Sequence, residues 1–177
     1  RTFEMFMNLP LSQFYHVTVD NAEPFNVYGG LQDNSSWYAP SESPGGIENK
    51  DWQIVNWGDG FRVYPHHTDE NIIYAESQGG NIVRYDRRDG QRKDIKPLNK
   101  KGEPEYRFNW NTPIQLSPNN DKRLYVGAQF LFASEDRGDT WTKISPDLTT
   151  NDPNKQRQAK SGGLSIDNST AENNTTI

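Results

Sequence analysis

The chain contains no cysteine among its 177 residues and carries no excess of positive charge. The missing cysteine excludes disulfides, a thiol nucleophile and a cysteine-based zinc site. The formal net charge of −5 and the pI of about 5.2 argue against a nucleic-acid-binding protein, which presents a basic face. No sequence pattern points to a cofactor, and we expect no metal site.

Long apolar runs are also missing, and helix signals are scarce. No run approaches the length of about 18 apolar residues that a membrane-spanning helix needs, so we expect no membrane insertion. No signal peptide is visible at Arg1. The chain starts within structured-looking sequence and ends, at 173–177, on what resembles the start of a strand, which predicts a fragment of a longer protein. Only the Asp-Pro start of Asp152–Ala159 favours a short helix.

Aromatic residues make up for a shortage of aliphatic ones. Leu, Ile, Val and Phe together account for about 19% of the chain, a low fraction for a folded protein. However, 5 Trp, 8 Tyr and 8 Phe supply large apolar surfaces, and the net charge is modest. The composition predicts a folded β protein with a polar surface and an aromatic-rich core.

A repeat of about 50 residues organises the chain. Each unit has a β-type run, a turn rich in Pro, Asn and Asp, and a second run marked by a tyrosine. These markers, Tyr28, Tyr74 and Tyr125, are 46 and 51 residues apart, and four-stranded propeller blades recur at about 40–50 residues. The repeat predicts an all-β fold: three four-stranded antiparallel blades of a larger propeller.

The breaks between runs divide the units into strands, because Gly, Asn, Asp and Pro favour hairpin turns. We predict blades at 12–56, 59–96 and 108–145, all within one propeller domain that fills 1–177. The segment 146–174 interrupts the repeat and is predicted to be a polar insertion that leads into a next blade. A further loop is predicted at 97–106.

One turn carries a Ser-x-Asp-x-Gly-x-Thr-Trp pattern, known as an Asp-box. Its residues are Ser134, Asp136, Gly138, Thr140 and Trp141. We expect Asp136 to accept backbone N–H bonds in the turn, Gly138 to adopt a left-handed conformation and Trp141 to be largely buried against the neighbouring blade. The segment 86–90 is a degenerate copy. Both are interpreted as folding devices.

With these motifs the sequence resembles the bacterial BNR/Asp-box repeat proteins, whose propeller is similar to that of sortilin-type receptors. Members are often labelled glycosyl hydrolases, and xyloglucanases and sialidases are more distant relatives. The residues that carry the resemblance lie at 28–34 with Trp37-Tyr38, at 58–61, 74–80 and 107–114, and from the Asp-box to Pro153.

The resemblance implies an extracellular, periplasmic or cell-surface protein with a larger propeller, commonly of seven or ten blades. The expected partners are further blades of the same polypeptide or another protein. The resemblance implies no settled activity, since non-enzymes also carry the Asp-box.

In such propellers the loops that join strands two and three, and those that join successive blades, share one face. That face is expected to bind ligand, and to lie away from Asp136. Amides, an arginine and tryptophans suit a sugar or a peptide. The candidate ligand-binding residues are Gln32, Asn34, Trp57, Gln78, Arg107, Asn109 and Trp110.

Hydrolysis of a glycosidic bond needs two carboxylates that flank it, about 5–10 Å apart. The candidate catalytic residues on the expected face are Asp33, Asp59 and Glu76. Asp59 lies between two glycines, which also fits an ordinary turn. A sialidase would need an arginine triad, and no Arg-Ile-Pro signature is present.

His66-His67 resembles a metal-binding pair, but adjacent strand residues point to opposite faces, so a solvated turn is the preferred interpretation. Three functions remain open. The preferred one is a binding propeller for a glycan or peptide. The alternatives are a glycoside hydrolase of the BNR/Asp-box type and a structural interaction module of an envelope assembly.

Overall fold

A computed structural model describes residues 12–156, 164–165, 168–169 and 173–177, with side-chain surroundings given only for 12–156 and 173–177. Three four-stranded antiparallel sheets dominate these residues, each with its strands in chain order. A two-stranded hairpin of Leu164–Ser165 and Asn168–Ser169 follows. The fold is all-β: three blades of a partial β-propeller, as the repeat predicted.

The strand bounds are as follows. Sheet 1 contains β1 Phe14–Val19, β2 Asn26–Leu31, β3 Ser36–Pro40 and β4 Gln53–Asn56. Sheet 2 contains β5 Gly60–Pro65, β6 Ile72–Ser77, β7 Asn81–Asp86 and β8 Arg92–Asp94. Sheet 3 contains β9 Ile114–Leu116, β10 Leu124–Gly127, β11 Leu131–Ser134 and β12 Thr142–Lys143.

Elsewhere the described residues contain two short 3₁₀ turns, Asn49–Asp51 and Pro153–Lys155. The second lies in the segment for which a helix at Asp152–Ala159 was predicted. Asp152 caps it by accepting a bond from the Asn154 amide. The rest of the predicted helix, from residue 157, lies outside the described residues. None of the described helices is long and apolar enough to cross a membrane.

The sheets stack front to back, where the front of a sheet faces the next sheet in the chain. Strand side chains alternate between faces, so sheet 2, which lies between the other two sheets, has a buried set on both sides. One core lies between the front of sheet 1 and the back of sheet 2, and a second between sheets 2 and 3. The first core contains Tyr28, Tyr38, Val55, Val63, Ile73, Ala75 and Val83. The second contains Tyr74, Ile82, Ile95, Ile114, Leu124, Val126 and Phe132.

Strand pairing fixes which residues of the three sheets are equivalent. The marker tyrosines Tyr28, Tyr74 and Tyr125 occupy the same place on the second strand. Two residues further on, sheet 1 has Gly30, sheet 2 has Glu76 and sheet 3 has Gly127. This register separates structural positions, which recur in every blade, from residues that occur in one blade only.

Candidate functional site

Two of the three candidate catalytic residues, Asp33 and Asp59, are joined at the loop face. The Asp33 amide donates a 2.5 Å hydrogen bond to Oδ1 of Asp59, and the Ser35 amide donates to the Gly58 carbonyl at 2.8 Å. These bonds join the β2–β3 turn of sheet 1 to the loop that enters sheet 2. Asp33 is exposed with φ of +54°, and Asp59 is half-buried.

A tyrosine that the sequence analysis did not select adjoins this pair. Partial burial, followed by the charges of Asp59 and Asp33, raises the pKa of Tyr15. Its ring lies 4.5 Å from the ring of Phe61. Tyr15 stands two residues before Val17 on β1, and Phe61 stands two residues before Val63 on β5. No local sequence signal links Tyr15 to the turn at Asp33, which lies 18 residues away.

The exposed part of the loop face lies in the same two loops. The side chains of Gln32, Asp33 and Asn34 are exposed and form no hydrogen bond with another described residue. Trp57, directly before Gly58, is 65% exposed. Exposed amides, a carboxylate and a flat indole therefore lie in the two loops that these hydrogen bonds join.

Gln78 was predicted to bind ligand, but its side chain serves the backbone. Its Oε1 accepts the Asp59 amide at 2.8 Å. In sheet 3 the equivalent Gln129 accepts the Arg107 amide, also at 2.8 Å, and Gln129 is only 2% exposed. Glutamine at this place thus caps the loop that enters its own blade, so the ligand-binding interpretation of Gln78 gives way to a structural one.

Glu76 was predicted to lie in a loop on this face, and this placement is wrong. It lies inside β6 with 0% of its surface exposed. Its Oε1 accepts the Thr112 amide at 3.2 Å, and burial raises its pKa to about 9. Sheet 1 has Gly30 at the equivalent place, where the backbone of sheet 2 approaches closely, so Glu76 lies between blades 2 and 3.

Arg107 and Asn109 turn towards the end of the chain and not towards Asp33. The Arg107 guanidinium forms an ion pair with Asp147 at 2.9 Å and also donates to the Thr175 carbonyl. Asn109 donates to the hydroxyl of Thr176. The orientation of these two side chains depends on contacts with residues far away in the chain, which no local sequence pattern predicts.

Trp110 contributes its backbone. The Gly79 amide donates to the Trp110 carbonyl at 3.0 Å. This bond joins sheets 2 and 3 at the place where the bond from the Asp33 amide to Asp59 joins sheets 1 and 2. The predicted convergence therefore divides in two. One part is the Asp33–Asp59 cluster with Gln78, and the other is tied to the 147–149 and 173–177 segments.

The turn of Ser134 to Trp141 is held by its own side chains. Asp136 accepts the Thr140 amide at 2.8 Å and the Thr140 hydroxyl at 2.6 Å, and these bonds lower its pKa to about 2. Ser134 accepts the amide of Gly138, which has φ of +90°. Trp141 is partly and not fully buried, and its indole N–H donates to the Ile95 carbonyl at 2.7 Å.

Replacing Asp136 by alanine should lower the free energy of unfolding by about 1–3 kcal/mol, because the Thr140 and Ser134 donors lose their acceptor. Denaturant unfolding measures this change. The matched control is Asp89→Ala in the corresponding turn of sheet 2, where Asp89 accepts only the Gln91 amide. A control loss as large as that of Asp136→Ala would contradict a special role for Asp136.

The two adjacent histidines have separate roles, and the solvated-turn interpretation fails for one of them. His66 is 4% exposed, and its Nδ1 accepts the amides of Thr68 and Asp69. Burial lowers its pKa. His67 is exposed. No group of three or more His, Asp or Glu side chains among the described residues is arranged to hold a metal ion.

No protein-family model matches the sequence, and no curated protein matches it. Among solved structures, the chain is similar to the GH74 xyloglucanase from Xanthomonas campestris. The sequence identity is 15% and the TM-score is 0.48, over 70% of this chain and 19% of the xyloglucanase. The chain thus spans about a fifth of the length of that protein, and the likeness concerns the backbone alone.

Proposed function

We propose that this chain is the ligand-binding segment of a BNR/Asp-box propeller in a secreted or cell-surface protein, and that its ligand is a glycan. The observation that carries the proposal is the bond from the Asp33 amide to Asp59, which unites two loops under an exposed surface. The self-contained Ser134–Trp141 turn supports its interpretation as an Asp-box with a folding role.

The chemistry of the surface favours a sugar over a peptide. Trp57 offers a flat apolar face for the C–H side of a pyranose ring. Gln32 and Asn34 can both donate and accept hydrogen bonds, and Asp33 accepts from hydroxyl groups. An extended peptide would instead require a free strand edge or an apolar groove, and this surface consists of turns.

Replacing Trp57 by alanine should weaken glycan binding about ten- to a hundredfold, as expected for an exposed aromatic anchor. Asp33→Asn should weaken binding about tenfold, because a charge-assisted hydrogen bond is lost. Calorimetric titration follows hits from an array of neutral oligosaccharides, with a peptide array beside it. Leu98→Ala, at a side chain 79% exposed in another loop, should leave binding unchanged. Binding of peptides alone would overturn the glycan assignment.

A glycoside hydrolase is the second candidate, since the bond from the Asp33 amide to the Asp59 carboxylate brings two of the candidate catalytic residues together. Glu76 is excluded from this role by its burial. A hydrolase would release new reducing ends from a bound oligosaccharide, and Asp33→Asn and Asp59→Asn would each abolish that release. Binding without any release of product would leave the binding function alone.

A further inference from the structure

The three blades contribute a polar cluster at the propeller axis. β1 and β5 lie side by side, and the Thr18 hydroxyl of β1 donates to the Val63 carbonyl of β5. These first strands form the inner edges of the blades, which line the central channel of a propeller. The side-chain amide of Asn111, which enters blade 3, lies 3.4 Å from Nε2 of His16 in blade 1. Because blade 2 stands between them, these two side chains meet at the axis.

Arg62 of β5 is the cation of this cluster. Burial, followed by the charge of Arg62, lowers the pKa of His16, so the imidazole is mainly neutral at pH 7. One nitrogen of the half-buried Arg62 guanidinium donates to the Tyr64 hydroxyl at 3.1 Å. Its Nε is buried and has no hydrogen-bond partner in the described part of the chain. Arg62 also forms no ion pair with any described carboxylate.

The neighbouring Glu76 does not balance this charge. Arg62 favours its ionised form, but burial is the larger influence and raises the pKa of Glu76 to about 9. Glu76 therefore keeps its proton at neutral pH. Lys96 is a second cation that interacts with Glu76, and its ammonium donates to the Gly79 carbonyl at 2.8 Å without an ion pair to a described residue.

Two cations thus flank a neutral acid at the inner end of blade 2. A partly buried cation without a counter-charge is costly, and an anion that binds beside it removes that cost. Further blades would not cover this place, because every blade turns its inner edge to the channel. The charge balance therefore indicates an anionic ligand at the axis.

We propose that the glycan ligand is acidic and that Arg62 binds the carboxylate of one of its uronic acid rings. The planar guanidinium matches a carboxylate, and the Asn111 amide has a second N–H that can donate to it. Asp59 stands three residues before Arg62, about 10 Å along an extended strand, so another ring of the same glycan can contact the surface at Asp33. This inference rests on the proposed function and names the class of glycan.

Calorimetric titration with two matched oligosaccharides tests it: a trimer of galacturonic acid and a trimer of galactose with the same linkages. The wild type should bind the acidic trimer about ten- to a hundredfold more tightly, the effect of one charge-assisted contact. Arg62→Gln should remove this preference and keep the affinity for the neutral trimer, which also demonstrates that the variant is folded. The matched control is Arg123→Gln, at an arginine that pairs with Glu135, and it should keep the preference.

Arg62→Lys is a milder variant, which keeps the charge and loses the fork of two parallel donors. The preference for the acidic trimer should fall about threefold or more. Equal affinity of the wild type for the two trimers would overturn the inference and leave the proposed glycan binding intact. So would a preference that is unchanged in both Arg62 variants. Failure of both trimers to bind, with no hit on the neutral array, would overturn the proposed function as well.

Discussion

Glu76→Gln should be several kcal/mol more stable than the wild type in alkaline solution and nearly equal to it near pH 5. Burial raises the pKa of Glu76 from 4.5 to about 9 in the folded chain. The folded state therefore holds a proton that the unfolded state has released between these two values. Stability must fall as the pH rises through that window, by about 6 kcal/mol at most.

The neighbours of Glu76 do not cancel this effect. Arg62 and the Thr112 amide favour its ionised form, but desolvation is the larger influence. Lys96 also interacts with Glu76, and burial lowers the pKa of Lys96. Glutamine keeps an acceptor for the Thr112 amide and stays neutral at all pH values. The free energy of unfolding of the variant should therefore not fall as the pH rises through this window.

Denaturant unfolding at about pH 5, 7 and 9 measures the difference between variant and wild type at each pH. Glu42→Gln, at an exposed position, is the control and should follow the wild type throughout. Burial raises the pKa of Tyr28 and raises that of Tyr74 to about 12, so these phenols titrate above the window. A parallel pH dependence of Glu76→Gln and wild type would show that Glu76 is not buried as a neutral acid.

The strands were predictable because their signals are local. Turns rich in Gly, Asn, Asp and Pro separate short β runs, and the tyrosine markers set the register of each blade. The fold class followed from the same spacing.

Part of the error at the site was avoidable from the sequence. Gln78 and Gln129 each stand four residues after a marker tyrosine, and a residue type repeated at one register position indicates a structural role. Likewise Glu76 stands where Gly30 and Gly127 stand, which points to a place between blades. Treating these positions as loop residues placed a buried carboxylate on the surface.

Other parts of the site depend on contacts far apart in the chain. Tyr15 meets Asp33 and Asp59 because β1 lies beside β5, and Arg107 turns away because Asp147 and Thr175 lie within its reach. A charged side chain selects among partners by tertiary distance, so composition alone does not fix its direction.

Gly30→Ala should lower the free energy of unfolding by about 3 kcal/mol or more, a large loss for adding one methyl group. A Cβ at Gly30 would meet the backbone of Gly60 and Phe61 well inside van der Waals contact. Because these neighbours are backbone atoms, no side-chain rotation relieves the overlap. Sheets 1 and 2 would have to separate, which uncovers the core around Tyr28 and Val63.

Thermal and denaturant unfolding of Gly30→Ala measure this loss, and Gly45→Ala separates it from the general effect of replacing glycine. Gly45 has φ of +89° and nothing within 4 Å of an added Cβ, so its variant carries backbone strain of about 1–2 kcal/mol without overlap. Gly30 is the reverse case, with overlap and no left-handed backbone. Equal or smaller losses in Gly30→Ala would mean that the two blades are not in close contact there. A larger loss, with sheets 2 and 3 still protected in hydrogen exchange, would locate the damage at the junction of blades 1 and 2.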